Sequence, residues 1–341
     1  MNVLVTGGAG YIGAHCCKEL AARGFQPVVY DNLVTGHREF VRWGPLFQGD
    51  IGDAVGLDAV CRTFKIDAAL HFAAFIEVGE SVADPLKYYG NNLAGALQLV
   101  RALVRHGIRR VVFSSSAAVY GAPREVPIDE THPTLPLSPY GRTKLMVEQL
   151  LTDCEQAYGL RCMALRYFNA AGADPEAQIG EWHDPESHLI PRVLDAAKNG
   201  ERPIQVYGTD YPTPDGSCIR DYIHVADLAR AHALAIEALL DGSPGGAFNL
   251  GQGKGYSVLE VLREAARITG RKLTVQTGPR RPGDPPVLIA SNRKARDMLG
   301  WVPEQSSLDD IIASAWKWHQ KMRGPAGEKA TRVAGGRGDK R

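Results

Sequence analysis

The chain has 341 residues, and its 39 basic and 38 acidic side chains leave a formal net charge of +1. This balance creates no global field that would attract nucleic acid or an anionic membrane, so neither partner is expected. Hydrophobic residues make up 44% of the chain, which is ordinary for a globular protein and sufficient for one large or two closely packed domains.

The first predicted elements are a strand, a helix and a second strand. Residues 3–5 predict the first strand, and a helical pattern over residues 12–23 ends at Gly24. Residues 27–31 predict the second strand. The N-terminus has neither the charged region nor the cleavage site of a signal peptide, and no stretch reaches the ~18 uninterrupted apolar residues of a membrane span. We therefore expect a cytoplasmic chain that makes no membrane contact.

Three later apolar runs predict further strands, at residues 68–73, 111–114 and 161–168. Because these runs are nearly continuous, they suit strands that are buried on both faces of a parallel sheet. The fold class that follows is α/β, with a Rossmann-type doubly wound parallel sheet covered by helices. We assign residues 1–169 to this first domain and expect the chain to return to it around residues 217–240.

The sequence changes character after Asn169. Residues 170–187 are dense in glycine, proline and acidic side chains, and residues 204–217 are rich in loop formers. Residues 223–228 predict a strand that leads into a helix. We expect residues 170–322 to form a smaller, loop-rich C-terminal substrate lobe over the carboxyl ends of the strands, where doubly wound folds bind ligands.

The tail and the cysteines predict no chemistry of their own. Residues 323–341 are Gly-rich, mildly basic and without periodicity, which predicts disorder. The six cysteines show no C-x-x-C pair and no zinc-like spacing. They are predicted to be buried free thiols in a reducing compartment, and no metal site is expected.

A glycine-rich turn joins the first strand to the first helix. In the pattern Gly8-x-Gly10-x-x-Gly13, glycines permit a tight turn and a close approach of the backbone to a pyrophosphate, which the helix N–H groups would bind. Three glycines could also form an ordinary tight turn. Asp31 ends the next strand, however, where a carboxylate accepts ribose hydroxyls and repels a 2′-phosphate. The combination predicts NAD rather than NADP.

A serine, a tyrosine and a lysine are the candidate catalytic residues. Ser138 and Pro139 predict a helix start, with serine as the N-cap and proline at the first helical position. Tyr140 and Lys144 then lie at i and i+4 on one helical face. Ser116 follows a strand whose end is expected to point into the same cleft. The three side chains are therefore expected to meet.

A tyrosine that acts as a base near neutral pH needs a lowered pKa. The pKa of Tyr140 must fall from ~10 by about three units. Lys144 as an ammonium and a positive nicotinamide ring both favour the phenolate, and Ser116 can hydrogen-bond the reacting oxygen. The alternative is a solvated helix face, because a Tyr-x-x-x-Lys pair can arise by chance in a chain with 12 tyrosines.

With these motifs, the chain resembles the extended short-chain dehydrogenase/reductases, and within that group it is closely similar to the UDP-glucose 4-epimerases. The resemblance covers nearly the whole chain up to the tail. The matching segments are residues 6–13, 31–33, 49–51, 71–74, 78–81, 88–92, 114–121, 138–144, 166–169, 213–216, 220–224 and 281–284.

The resemblance implies a 4-epimerase reaction on a UDP-hexose. A hydride would leave C4 of the sugar for bound NAD, the 4-keto sugar would turn, and the hydride would return to the opposite face. The implied catalytic residues are Ser116, Tyr140 and Lys144. The implied NAD-binding residues are Gly7, Gly10, Tyr11, Ile12, Gly13, Asp31, Asn32, Asp50, Ile51, Phe72, Ala73, Ala74, Asn91, Ser114, Tyr140, Lys144 and Tyr167. The implied substrate-binding residues are Ser116, Tyr140, Asn169, His188, Leu189, Arg220, Arg281, Asp284 and Leu288.

Two positions depart from the pattern of the group, and a third bears on the choice of sugar. Ile76 stands where some epimerases have a lysine that reaches the cofactor ribose, so one NAD contact is missing. His188 stands where several relatives have an asparagine near the hexose. Leu288 lies where, in this group, a small residue admits N-acetylated sugars and a bulky residue excludes them. A leucine there favours UDP-glucose and UDP-galactose.

Other functions stay open at this stage. A 4-epimerase for UDP-N-acetylglucosamine or for a UDP-pentose fits the same motifs. A nucleotide-sugar 4,6-dehydratase would have an Asp-Glu pair where this chain has Ala117 and Ala118, which cannot perform acid–base elimination. A non-catalytic NAD-sensing module would have lost the tyrosine or the lysine, and both are present.

Two predicted helices carry apolar repeats. Apolar residues repeat along residues 91–105, at Leu93, Leu97, Val100 and Val104, and along residues 139–156. The resemblance implies that these helices pair with their copies in a four-helix interface. The alternative is that both helices only cover the sheet.

Overall fold

The computed structural model describes residues 1–200, 203–281 and 283–322, so the tail with predicted disorder lies outside the described residues. The strands of the described part are β1 (Asn2–Thr6), β2 (Gln26–Asp31), β3 (Leu46–Gln48), β4 (Ile66–His71), β5 (Arg110–Ser114), β6 (Arg161–Tyr167), β7 (Asn169–Ala171), β8 (Ile204–Tyr207), β9 (Ile219–His224), β10 (Gly246–Leu250), β11 (Gly255–Ser257), β12 (Val275–Gly278) and β13 (Val287–Leu288). Its α-helices are α1 (Tyr11–Ala22), α2 (Ala54–Thr63), α3 (Val78–Ala83), α4 (Pro85–Tyr88), α5 (Ala96–Arg105), α6 (Pro139–Tyr158), α7 (Leu189–Asn199), α8 (Val225–Leu240), α9 (Val258–Thr269), α10 (Arg293–Leu299) and α11 (Leu308–Met322).

The main sheet has seven parallel strands in the order β10-β6-β5-β4-β1-β2-β3. The order reverses at β1, which pairs with β2 on one side and with β4 on the other. This arrangement confirms the predicted α/β, doubly wound fold. It also opens a crevice beyond the carboxyl ends of β1 and β4, the position at which such sheets bind ligands.

Helices cover both faces of the main sheet. On one face, Leu20 of α1 and Ile236 of α8 pack on the strands in a fully buried cluster. On the other face, Leu99 of α5 and Val147 of α6 do the same. The near-continuous apolar strands are explained by this double burial.

The end of β4 differs from its prediction in a way that shapes the site. The strand expected over residues 68–73 ends at His71. The amides of Phe72 and Ala73 both donate to the carbonyl of Thr6, at 2.9 and 3.1 Å. These bonds turn the chain out of the ladder and leave both residues at the sheet edge.

A late strand completes the main sheet. β10 pairs in parallel with β6, and α8, which precedes it, packs against α1. A return of the chain to this domain was expected around residues 217–240, and this strand was not predicted. Its run Gly-Ala-Phe-Asn-Leu carries an asparagine, Asn249, which is buried.

The second lobe has its own small sheets and core. β9 pairs with β7, β11 and β13, and β8 pairs with β12. Val193 of α7, Val261 of α9 and Ile311 of α11 are completely buried together. β8 lies within a stretch predicted as loop-rich, because a four-residue strand between turn formers gives almost no periodic signal.

The predicted thiols are confirmed as free and buried, for all six cysteines. Within the described residues, none of the helices combines the length and the apolar character required to cross a membrane.

Candidate active site

A cavity of about 990 Å³ lies at the carboxyl edge of the main sheet. The turn after β1, the ends of β2, β4 and β5, and the start of α6 line one side of it. Residues 181–191 of the second lobe, except Glu186, line the other side. The cavity therefore occupies the crevice that the strand order predicts.

The glycine turn is shaped so that only glycine fits at its key positions. Gly7 has φ +75°, and a Cβ there would lie 2.7 Å from the amide nitrogen of Ala73. A Cβ on Gly13 would lie 2.3 Å from the carbonyl oxygen of Gly7. Gly10 is the N-cap of α1, whose first residue is Tyr11. The N-terminus of α1 is thus held against the cavity, where its N–H groups favour an anion.

Asp31 places a carboxylate at the wall of the cavity. Its oxygens accept hydrogen bonds from the amides of Ala9 and Leu33, at 3.0 and 2.9 Å. Burial raises the pKa of Asp31, and these two hydrogen bonds act in the opposite direction. Because the amides fix its orientation, the carboxylate is presented to the cavity in one position.

The start of α6 brings the candidate catalytic residues together. Ser138 caps the helix by accepting from the amide of Gly141 at 3.1 Å, and Pro139 is its first residue, as predicted. Tyr140 and Lys144 are both buried at the cavity wall. Ser116 lines the same cavity, and its side chain lowers the pKa of Tyr140. The predicted solvated-face alternative is therefore wrong.

The pKa values of Tyr140 and Lys144 are each set by opposing effects. Burial raises the pKa of Tyr140, Ser116 lowers it, and Glu77 raises it. Burial lowers the pKa of Lys144 to about 7, and Glu148 acts in the opposite direction. Without a further cation, the residues of the chain hold Tyr140 as a neutral phenol, whereas the sequence analysis emphasised the lowering by Lys144.

Lys144 is held at the end of β5. Its Nζ donates to the carbonyl oxygen of Ser114 at 2.8 Å and lies 5.8 Å from the ring centroid of Tyr140. The Ser114 hydroxyl lies 2.5 Å from that of Tyr167, another residue of the cavity wall. The ammonium therefore sits below the tyrosine ring, and its position is fixed by the strand end.

A buried polar network behind Lys144 was missed by the sequence analysis. Glu148, one turn further along α6, accepts from Arg166 at 2.9 and 2.5 Å and from the Ser115 hydroxyl. Arg166 also donates to the Tyr120 hydroxyl at 2.9 Å, which donates to Asn249 at 2.6 Å. The available signal was a carboxylate four residues after Lys144 on a face that is otherwise apolar.

Most of the residues predicted for the site line this one cavity. Those brought together are Gly7, Gly10, Tyr11, Ile12, Gly13, Asp31, Asn32, Ile51, Phe72, Ala73, Ala74, Asn91, Ser114, Ser116, Tyr140, Lys144, Tyr167, Asn169, His188 and Leu189. Those outside its lining are Asp50, Arg220, Arg281, Asp284 and Leu288. Their ligand contacts stay predictions.

The residues outside the lining have other partners in the described structure. Asp50 accepts from the side-chain amide of Asn32 at 2.8 Å, so its carboxylate supports a cavity residue. Arg220 forms an ion pair with Asp284 rather than with the adjacent Asp221.

Two more of these residues pack against neighbouring side chains. The guanidinium of Arg281 lies 4.1 Å from the ring centroid of Tyr207. Leu288 packs with the buried cluster that contains Tyr120. Both lie on the second-lobe side of the fold, in or beside the strands that follow β7.

A segment of the second lobe, residues 181–188, reaches across to the first lobe and is named the strap here. Trp182 stacks on His37 with centroids 3.9 Å apart and an interplanar angle of 5°. The hydroxyl of Ser187 donates to Glu77 at 2.8 Å. The strap therefore closes one side of the cavity. The sequence predicts only a loop here, because contacts over such separations have no periodic signature.

Comparisons with known proteins agree with this geometry. The sequence profile described as "NAD dependent epimerase/dehydratase family" matches residues 3–251. The chain belongs to this family. A UDP-glucose 4-epimerase of Rhizobium leguminosarum bv. trifolii is 55% identical over 94% of this chain and 98% of its own length.

Two solved structures are similar along their whole length. The UDP-glucose 4-epimerase from Brucella ovis, in complex with NAD, is 51% identical with a TM-score of 0.91, over 93% of this chain and 97% of that one. The UDP-glucose-4-epimerase from Stenotrophomonas maltophila, with bound NAD and formylated UDP-arabinopyranose, is 42% identical with a TM-score of 0.92, over 96% and 100%. Members of the family thus hold NAD and a UDP-sugar on this fold.

Proposed function

We propose that this chain is an NAD-dependent UDP-glucose 4-epimerase, an isomerase that interconverts UDP-galactose and UDP-glucose through a 4-keto intermediate. The observation that carries the proposal is that Tyr140, Ser116 and Lys144 line the same cavity as Asp31 and the glycine turn. A dinucleotide site and an acid–base pair thereby share one space. The similarity to curated UDP-glucose 4-epimerases supports this reaction.

The residues of the cavity fit NAD. Gly13 has no side chain, so the backbone of the turn packs closely there and the N-terminus of α1 stays open to a pyrophosphate. Asp31 can accept two ribose hydroxyls. The same carboxylate would repel a 2′-phosphate. When bound, oxidised NAD supplies a hydride acceptor and a positive charge beside the reacting carbon.

Side chains of the cavity transfer the proton of the sugar 4-hydroxyl. Tyr140 takes the proton of the sugar 4-hydroxyl while the C4 hydrogen leaves as a hydride, so the C4–O bond becomes that of a ketone. Ser116 accepts from the amide of Ala118 at 3.1 Å, which leaves its own proton for the reacting oxygens. The ammonium of Lys144 favours the phenolate. On the reverse step Tyr140 returns the proton, and the reaction is redox-neutral.

Epimerisation also requires a firm hold on UDP while the hexose turns. We assign Arg220 and Arg281 to the diphosphate and Asp284 to the uridine ribose. Arg220 and Asp284 are paired with each other, so UDP would have to exchange these partners. Planar guanidinium groups suit diphosphate oxygens. Leu288 supports a preference for UDP-glucose and UDP-galactose over N-acetylated sugars.

We also propose a homodimer through α5 and α6, in a cytoplasmic setting. Leu97 of α5 and Met146 of α6 remain partly exposed, and 39% of Met146 is accessible. Val147 and Leu151 of α6, by contrast, are buried on the sheet. The apolar face left over on these helices supports an interface between copies. Six free thiols fit a reducing compartment.

The experiment adds UDP-galactose to the purified chain without external cofactor and follows UDP-glucose by NMR. We expect product without a build-up of NADH. Tyr140→Phe is expected to lower turnover by about 10²- to 10⁴-fold while NAD stays bound, because only the proton transfer is removed. Tyr158→Phe, at the exposed end of the same helix, is the matched control and should keep full activity.

Different outcomes point to the other candidate functions. Stoichiometric NADH would indicate a dehydrogenase, and a 4-keto-6-deoxy product would indicate a dehydratase. Bound NAD without turnover of any UDP-sugar would indicate a sensing module. Faster turnover of UDP-N-acetylglucosamine or of a UDP-pentose would indicate a 4-epimerase with a different preferred substrate. Near-normal turnover by Tyr140→Phe would remove Tyr140 as the base.

A further inference from the structure

Four side chains of the strap form a group of histidines and glutamates, of which only His188 is assigned to substrate binding. Glu181, His183, Glu186 and His188 each direct a ligand-type atom to one point, and these atoms all lie within 4.8 Å of one another. This group is named the His–Glu cluster. Glu181, His183 and His188 line the cavity, and Glu186 completes the group.

The spacing of these atoms suits a small cation. Nδ1 of His188 lies 2.9 Å from Glu181 and 3.1 Å from Glu186. Nδ1 of His183 lies 3.5 and 3.6 Å from the same two carboxylates. Around a tetrahedral zinc ion with bonds of ~2.0–2.1 Å, neighbouring ligand atoms are roughly 3.3 Å apart. The four observed separations bracket that value.

One atom of the cluster lacks a hydrogen-bond partner. Nδ1 of His183 is buried and makes no hydrogen bond in the described part of the chain. Its distances to the two carboxylates exceed that of a normal hydrogen bond. Buried polar atoms of folded proteins are nearly always satisfied, and a metal bond would satisfy this one.

The chemistry of the group fits a divalent transition metal. Two neutral imidazoles and two carboxylates form an uncharged complex with a 2+ ion, and nitrogen with oxygen ligands suits zinc. The Glu181 side chain is only 7% exposed, whereas that of His188 is 42% exposed. The exposed side offers the ion a path of entry.

We propose that the His–Glu cluster binds one divalent transition-metal ion, for which zinc is the best fit. Four protein ligands complete a tetrahedral shell, so the site is structural. The ion would tie both ends of the strap together and fix His188 at the cavity wall. Without an ion, the same groups can form only an ion-pair cluster, which is the competing state.

The test uses the full chain with its bound NAD, after dialysis against EDTA. Titration with zinc chloride in a calorimeter is expected to give one ion per chain. Zinc is also expected to raise Tm, because it binds only the folded chain. Glu181→Gln and His183→Ala should each weaken zinc binding at least tenfold. His106→Ala, which removes a histidine paired with Asp58 elsewhere, is the control and should leave it unchanged.

The visible absorption spectrum after addition of cobalt chloride provides a second test on the unmodified chain. A tetrahedral nitrogen–oxygen site is expected to give intense visible bands without thiolate charge transfer. The proposal is overturned if no ion binds, if Glu181→Gln and His183→Ala bind as tightly as the unmodified chain, or if a thiolate band shows that cysteines hold the cobalt. None of these readouts depends on turnover, so they stand apart from the proposed reaction.

Discussion

At the scale of single residues, the site is governed by how its buried charges are compensated. Lys144 lies between the end of β5 and the carboxylate of Glu148, and burial lowers its pKa to about 7. Glu148 in turn is held by the bidentate guanidinium of Arg166. The protonation state of Lys144 is therefore sensitive to a residue that does not line the cavity.

Glu148→Gln is expected to shift the pH profile of the reaction. Removing the negative charge destabilises the ammonium, so the pKa of Lys144 falls further, and the alkaline limb of kcat/KM moves to lower pH. The change also leaves Arg166 without its partner, which should lower stability by about 3–5 kcal/mol. The pH dependence of kcat/KM and thermal unfolding measure the two effects.

Glu155→Gln, further along the same helix, is the matched control for that shift. It removes an equal charge but leaves both Lys144 and Arg166 in place. If Glu148→Gln lowered stability but left the pH profile unchanged, Glu148 would have no influence on Lys144.

The sequence predicts the residues of the site whose relation is local. Tyr140 and Lys144 are four residues apart behind a recognisable helix cap, and both lie where that cap predicts. Glu148 and Arg166 are separated by 18 residues, and Tyr120 and Asn249 by 129. Such pairs depend on the packing of whole strands, so periodicity and spacing do not reveal them.

At the scale of elements, the strap is the part of the fold that joins the two sides of the cavity. Trp182 stacks on His37, and Ser187 reaches Glu77, so each end of the strap has a partner in the first lobe. Because the strap forms one wall of the cavity, its opening would expose bound NAD to solvent. Its stability should therefore influence how firmly the cofactor is retained.

Trp182→Ala is expected to loosen the hold on NAD. Aromatic pairs contribute about 0.5–1.5 kcal/mol, so loss of the stack should weaken NAD binding about two- to tenfold. The fraction of chains that keep NAD after gel filtration measures this. Trp182→Phe retains a ring over His37 and should restore most of the binding. Equal NAD content in Trp182→Ala and the unmodified chain would contradict a closing role for the strap.

Elements were predictable to the extent that they are long or bounded by clear signals. α6 begins at Ser138 and Pro139 as its cap predicts, and the strands of the first half appear as apolar runs between turns. β8 and β10 have four and five residues, and neighbours from distant parts of the chain stabilise them. Their short sequences contain too little periodicity to distinguish them from loop.

At the scale of the whole molecule, α5 and α6 carry two different apolar surfaces. Residues such as Leu99 and Val147 face the sheet and are completely or almost completely buried. Leu97 and Met146 remain partly accessible on the same helices. The sequence shows both sets as one repeat, and only the packed sheet separates the residues that it covers from those left for a partner.

Leu97→Glu is expected to convert a dimer into a monomer. A carboxylate buried at an apolar contact between two copies would lose its hydration without gaining a partner, which costs several kcal/mol. In a symmetric interface this cost occurs once in each copy. Sedimentation velocity should give the mass of two chains for the unmodified protein and of one chain for the variant. Val302→Glu, at an accessible position of the second lobe, is the control and should remain dimeric. NAD content checks that both variants are folded, because the cavity of each chain is built from its own residues. A monomer for the unmodified chain would instead assign both helices only the role of covering the sheet.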